Sequence, residues 1–199
     1  MLKDRIVADR VQSLFEKKGY AFFTSGDFNL NIVGVRSNNR YANSFDDNLL
    51  CIYKNSGAWQ VDNYVITTDA GTHWLKNPMN SKGCAILKAN QYRSAYQIGL
   101  HRGDYEALVQ RRAVEVYRDD NKDNYHDLDE STTDKGLFGI NIHRSNPKTE
   151  SRQVNKWSAG CQVFKKKRDY DKFMGTCLKA SSRWGNSFTY TLINEKELL

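Results

Sequence analysis

Between residues 4 and 18 the apolar positions recur at helical spacing, with Ile6, Val7, Val11, Leu14 and Phe15 forming one stripe. Gly19 supplies the stop for a helix over this stretch. Beyond it the period changes to short apolar or alternating runs, the mark of strands. These runs cover 21–24, 29–36, 49–53, 58–67 (Trp59, Val61 and Val65 on one face), 84–87, 95–98 and 113–117. Two more follow: Ile140 to His143 and Cys161 to Phe164. A short helix is predicted over 105–111 and a longer one over 169–179, where Phe173, Met174 and Cys177 share a side. Phe188 to Ile193 reads as a strong closing strand. The pattern predicts an α+β fold, mainly β. It forms a single domain over 1–199, with a helical lead-in over 1–20 and a β-rich body over 21–199.

Composition narrows this picture. In 199 residues, 39% hydrophobic and 12% aromatic, there is material for one well-packed core. The net charge of +7 suits an acidic partner such as an anionic wall polymer, a membrane surface or nucleic acid. No RNA- or DNA-binding signature accompanies it, so nucleic acid is not the expected partner. The basic run Lys165 to Arg168 is read as a solvated turn. The start Met1-Leu2-Lys3-Asp4-Arg5 has no apolar stretch of a secretory signal, and nowhere do 18 apolar residues run together. The expectation is a chain made in the cytoplasm without a signal peptide and not spanning a membrane. Cys51, Cys84, Cys161 and Cys177 match no zinc or redox spacing. They are expected to be reduced thiols, with a Cys51–Cys84 disulfide left open.

One cysteine has a setting for chemistry. Gly139-Ile140-Asn141-Ile142-His143 is followed, 161 − 143 = 18 residues on, by Cys161 at the end of Trp157-Ser158-Ala159-Gly160-Cys161. A cysteine nucleophile needs a base or a positive neighbour, and a histidine at an adjoining strand end can supply it. Small Ala159 and Gly160 leave room for a substrate carbonyl, and the amides of Gly160 and Cys161 can donate to an oxyanion. Trp157 and Ser158 are candidate substrate-binding residues.

The stretch from Phe138 to Asn194 resembles the end of a YkuD-type L,D-transpeptidase catalytic domain. The matching parts are Ile142-His143, Ser158-Ala159-Gly160-Cys161, the helix over 169–179 and the strand over 188–193. The resemblance implies that Cys161 attacks a carbonyl of a peptidoglycan stem peptide while His143 takes the thiol proton. It also implies that the backbone carbonyl of Arg144 orients the imidazole. The acyl group then passes to an amine or to water. Two positions depart from the family: Arg144 stands where Gly is usual, and Val163 where an Arg is usual, with Arg144 and Arg152 as candidate replacements. The overall texture is similar to that of proteins of tailed bacteriophages. That places other virion proteins beside peptidoglycan as expected partners, and opens the alternative of a non-catalytic tail or baseplate component that keeps the fold.

A second constellation lies upstream. Counting Asp119 as position 1 of an EF-hand loop puts Asn121, Asp123, Tyr125 (by its carbonyl), Asp127 and Glu130 at positions 3, 5, 7, 9 and 12. Hard oxygen ligands in that order suit a structural Ca²⁺, although no helix flanks the loop. His126 falls at position 8, where it is expected to point outward, and His73 and His101 are expected at the surface. Asp46, Asp47 and Asp69 are a possible acidic group of unfixed geometry.

Overall fold

A computed structural model describes residues 2–198. Helix α1 (Leu2–Lys18) opens the chain, and Gly19, at φ 69°, ends it. Asp4 in its first turn and Lys17 and Lys18 in its last complement the helix dipole. Ala8, Val11 and Phe15 form its buried stripe, while Ile6 lies outside it and is exposed. This stripe packs on Val33, Val35, Leu50, Ile52 and Ile193, with Trp59 and Val61 at the edge.

Eight strands close into a barrel in the order β1-β11-β5-β6-β9-β10-β3-β2. They are β1 (Asn31–Arg36), β2 (Asp47–Asn55), β3 (Ala58–Thr67), β5 (Gln91–His101), β6 (Tyr105–Gln110), β9 (Ile142–Arg144), β10 (Gln162–Phe164) and β11 (Phe188–Asn194). The pairs β1–β11 and β9–β10 run parallel, and the other barrel pairs antiparallel. Closure leaves no exposed sheet edge. A three-stranded sheet, β4 (Cys84–Leu87), β7 (Val114–Asp119) and β8 (Asp134–Gly136), packs beside the barrel. Its Ala85, Leu87, Val114 and Val116 join the main core.

Helix α2 (Thr72–Lys76) is a short turn, and α3 (Lys167–Trp184) precedes the closing strand. α3 buries Tyr170, Phe173, Met174, Cys177 and Ala180 against Tyr64 and Phe164 of the same core. Burial of that many large side chains, at roughly 1.5–3 kcal/mol each, makes α3 part of the core rather than a surface addition. Inside the barrel, Gln162 accepts a 2.7 Å bond from the hydroxyl of Tyr190 and donates to the carbonyl of Thr68 at 3.1 Å.

The α+β, mainly β reading agrees with this architecture. Three local expectations do not. Residues 105–111 are not helical: Tyr105–Gln110 is β6, paired with β5 from His101↔Tyr105 to Tyr96↔Gln110. Residues 21–24 form no strand but an irregular edge, held by Gln91 accepting from the amide of Ala21 and Asn31 accepting from that of Phe23. Helix α3 is longer than 169–179 at both ends. All four cysteines are free, so Cys51 and Cys84 are not joined. No described helix is long and apolar enough to cross a membrane.

Candidate active site

Strands β9 and β10 are three residues each and run parallel, with Gln162 opposite Ile142 and Val163 opposite His143. Side chains alternate between the two faces of a strand. Ile142, Gln162 and Phe164 point into the barrel. His143 and Val163 therefore share the outer face, and Cys161, two residues before Val163, joins them there. The loop over 145–160 covers this face, and Phe45, Val154 and Val163 with Cys161 make a small apolar cluster beneath it.

The imidazole of His143 is 4% exposed. Its Nδ1 lies 2.8 Å from the carbonyl oxygen of Arg144. A carbonyl only accepts, so Nδ1 carries the proton and Nε2 keeps a bare lone pair. Arg144 thus sits where a backbone carbonyl can set the tautomer. The hydroxyl of Tyr105 lies 3.3 Å from both Nδ1 and that carbonyl oxygen, and the ring of Tyr105 carries the Arg144 guanidinium at 3.9 Å. Burial first, and then the neighbouring His101, push His143 down to about 3, so the ring is neutral at pH 7.

Cys161 is partly exposed as a residue. Its thiol donates to the carbonyl of Gly139 and accepts the amide of Asn141, each at 3.4 Å. Burial pushes the thiol up to about 11 against the pull of the Asn141 amide and Arg102. At neutral pH the Cys161 thiol and the His143 imidazole are therefore both uncharged.

The approach to the cysteine is tightly braced. Ser158 is fully buried: its hydroxyl donates to the carbonyl of Cys161 at 2.8 Å and accepts the amide of Gly160 at 3.1 Å. Its expected substrate-binding role is therefore replaced by a loop-holding one. The Gly160 amide, one of two expected oxyanion donors, is already engaged; that of Cys161 has no partner among the described residues. Gly160 has φ 119°, and a Cβ there would lie 2.2 Å from the carbonyl oxygen of Ala85.

The chain matches no protein-family model, no curated protein and no solved structure.

Two hollows are lined in part by the turn before Cys161, one by Trp157 and the other by Ala159, and Cys161 itself lines neither. One, of about 260 Å³, is lined by His143, Arg144, Tyr105, Arg102, Lys156 and Trp157 among others. The other, of about 280 Å³, includes Ala159, Phe138, Leu137, Trp74 and Arg118. Trp157 is 39% exposed and lines the first hollow. Val163 is fully buried in the small cluster, and no cation stands in its place.

The acidic loop comes together only in part. Asp119 accepts the amide of Asp127 at 3.0 Å, and Asn121 donates to Asp127 at 2.7 Å and to Asp123 at 3.2 Å. Asp123 accepts the amide of Tyr125 at 2.6 Å. Glu130 leaves the group: its carboxylate pairs with Lys88 and takes the hydroxyl of Tyr117 at 2.9 Å. Among the described residues no group of three or more His, Cys, Asp or Glu is set to hold a metal ion. With position 12 turned away, the arrangement does not fit a closed EF-hand site. Asp119 keeps one buried oxygen without a hydrogen-bond partner, and burial raises its carboxyl.

His126 does not point outward: it is 6% exposed, its Nε2 2.9 Å from the carbonyl of Ala70. Of the acidic trio, Asp47 and Asp69 are buried together at the end of the barrel, Asp69 pairing with Arg36 at 2.7 Å, while Asp46 takes the amide of Asn39. His101 is 8% exposed rather than on the surface, and stacks on His143. His101, Tyr105 and Asn141 escaped the sequence reading. The turn Arg102-Gly103-Asp104 was the available signal, since a hairpin there sets His101 opposite Tyr105.

Proposed function

We propose that this chain is a cysteine-dependent acyltransferase or peptidase acting on peptidoglycan stem peptides, in the manner of an L,D-transpeptidase. The observation that carries the reading is the imidazole of His143. Its Nδ1–H is held by the Arg144 carbonyl, so its basic Nε2 is left on the face it shares with Cys161. In the reaction the thiol proton moves to Nε2, and sulfur bonds to the substrate carbonyl carbon as the carbonyl electrons move to oxygen. The amide of Cys161 is the donor proposed for that oxygen. As the tetrahedral species collapses, the leaving amine takes the proton from His143 and the acyl group stays on sulfur. An incoming amine or water then releases it. The hollow that holds Trp157 and the one that holds Ala159 are proposed to take the acyl donor and the acceptor. Arg102, Arg144 and Lys156 in the first suit the carboxylates of a stem peptide. A phage particle is the proposed carrier to the wall.

The test is incubation with purified sacculi, followed by mass spectrometry of the released muropeptides. Shortened or newly joined stems are expected with the native chain and absent with Cys161→Ala. Identical products from both would remove Cys161 from the mechanism.

A second reading, a non-catalytic virion component that keeps the fold, is favoured by the engaged Gly160 amide and by buried Val163. It predicts no muropeptide change with the native chain and recovery of the chain from purified particles.

A further inference from the structure

The acidic loop lacks its closing ligand. The cavity of about 230 Å³ beside Arg36 and Arg40 also holds Asp69, and its loop amides are taken up by Asp47, Glu195 and neighbouring side chains. The ring pair at His143 is specified in more detail than either.

Two ring tautomers are set there by backbone atoms. The Arg144 carbonyl puts the proton of His143 on Nδ1. At the neighbouring ring the logic passes through Asn141. The amide of Gln110 donates to Asn141 Oδ1 at 2.9 Å, which decides which end of that side chain is oxygen. The other end, Nδ2, therefore faces His101 Nδ1 at 3.0 Å and donates to it. His101 thus carries its proton on Nε2 and is a neutral ring. The two imidazoles stack with centroids 4.1 Å apart and planes 21° from parallel. Protonating His101 at Nδ1 would break the Asn141 bond and set a cation against His143.

We propose that His101 is a positioning residue for the Cys161–His143 pair. It is a neutral aromatic face, locked by Asn141, on which the imidazolium formed at His143 rests during acyl transfer. The inference rests on the Cys–His reading above. When Cys161 gives up its proton, His143 becomes a cation over a π face, a favourable arrangement, rather than beside a second cation. Asn141 serves both partners, since its backbone amide also holds the thiol at 3.4 Å. The other charged or titratable groups around His143 are Arg102, Asp104, Tyr105, Arg144 and Lys156. None of them stacks on its ring in the manner of His101.

The experiment is acylation of Cys161 by p-nitrophenyl acetate, followed by mass spectrometry of the S-acyl product from pH 5 to 9. Folding is checked by far-ultraviolet circular dichroism. His143→Ala is expected to slow acylation about a hundredfold. If it does not, the Cys–His reading itself fails, whatever His101 does. Asn141→Asp keeps the acceptor for Gln110 but turns a carboxylate toward His101, which draws a proton onto it. Acylation is expected to slow by roughly tenfold or more near pH 7, because a second cation then faces His143. It should recover above the pH at which His101 loses that proton. The double variant Asn141→Asp with His101→Phe is expected to regain most of the lost rate, since Phe cannot be protonated. His101→Ala should slow the reaction, and His101→Phe should restore much of it. The proposal is overturned if Asn141→Asp has the native rate and pH profile. It is also overturned if Phe at 101 rescues neither variant. Should Asn141→Asp not fold, the His101→Ala and His101→Phe pair decides alone.

Discussion

The strands at and beside which His143 and Cys161 lie and the acidic loop from Asp119 to Glu130 were both read by counting positions, and the fold constrains the two differently. In the first, the count is enforced by a ladder: with Val163 opposite His143, alternation alone brings Cys161 to the outer face. In the second, the count assumes a loop that wraps around a central ion, and nothing in the backbone imposes that path. Asp119, Asn121, Asp123 and Asp127 stay together through bonds among themselves, but Glu130 is drawn to Lys88 and Tyr117 on neighbouring strands. A motif written on paired strands is held by the fold. One written on a loop competes with every charged neighbour the fold brings near.

The strongest test of the first half of this contrast is Gly160→Ala. The added methyl must meet the Ala85 carbonyl at a distance that contacts do not tolerate, at a φ that side chains avoid. A loss of roughly 2–4 kcal/mol in urea unfolding is expected, with loss of Cys161 acylation. Gly175→Ala is the control: it lies inside α3 with open space around it. It should gain about 0.5–1 kcal/mol. Equal effects at the two glycines would mean that the braced turn at 158–161 is not as rigid as its hydrogen bonds imply.

A smaller effect separates the site from the loop by pH. His143 is pushed down to about 3, while an unfolded histidine titrates near 6.5. The unfolded chain therefore binds a proton that the folded ring refuses. The stability this residue contributes is full above pH 6.5 and is lost as pH falls toward 3. Asp47 works in the opposite sense: burial and Asp69 raise it to about 7, so its contribution falls as pH rises from about 4 to 7. The His143 effect is isolated by comparing unfolding of the native chain with that of His143→Asn at several pH values. The difference between them should shrink by about 1.4 kcal/mol per pH unit below 6.5. A difference that stays flat from pH 7.5 to 4.5 would mean that the imidazole is not held neutral. Of the loop acids, Asp129 and Glu130 are lowered by their hydrogen bonds and lose their contribution as pH falls through the ordinary carboxylate range, while burial raises Asp119; all three cancel in the comparison with His143→Asn.

The same contrast explains what was legible in the chain. Helix α1 carries a clear period because one stripe of it is buried, while the closing strand, buried on both faces, is legible from its run of β-branched and aromatic residues. Residues 105–110 carry neither signal: Glu106-Ala107-Leu108 are good helix formers, and only pairing with β5 makes them a strand. The two short strands that bring His143 and Cys161 to one face could be read because each carries its own apolar run. His101 could not, because it reaches His143 from β5, with Asn141 and Gln110 as intermediaries from two further places in the chain. Ser158 looked like a ligand-facing hydroxyl beside a nucleophile. Its burial follows from the tight turn that Gly160 makes against Ala85, which no spacing rule reveals.

The smallest effect expected concerns Glu130, and it bears on the other half of the contrast. Its side chain is 74% exposed, and its ion pair with Lys88 is of the surface kind that contributes little. Glu130→Gln is therefore expected to leave the thermal midpoint unchanged. Added calcium is expected to leave both chains where they are, because the residue needed to close the twelve-position loop already has partners. The informative outcome is the opposite one. If millimolar calcium raises the midpoint of the native chain and Glu130→Gln abolishes the rise, Glu130 leaves Lys88 for the ion. Asp119's unpartnered oxygen would then be its companion ligand, and the loop would obey its register as the strand pair does, with the ion supplying the constraint that the backbone lacks.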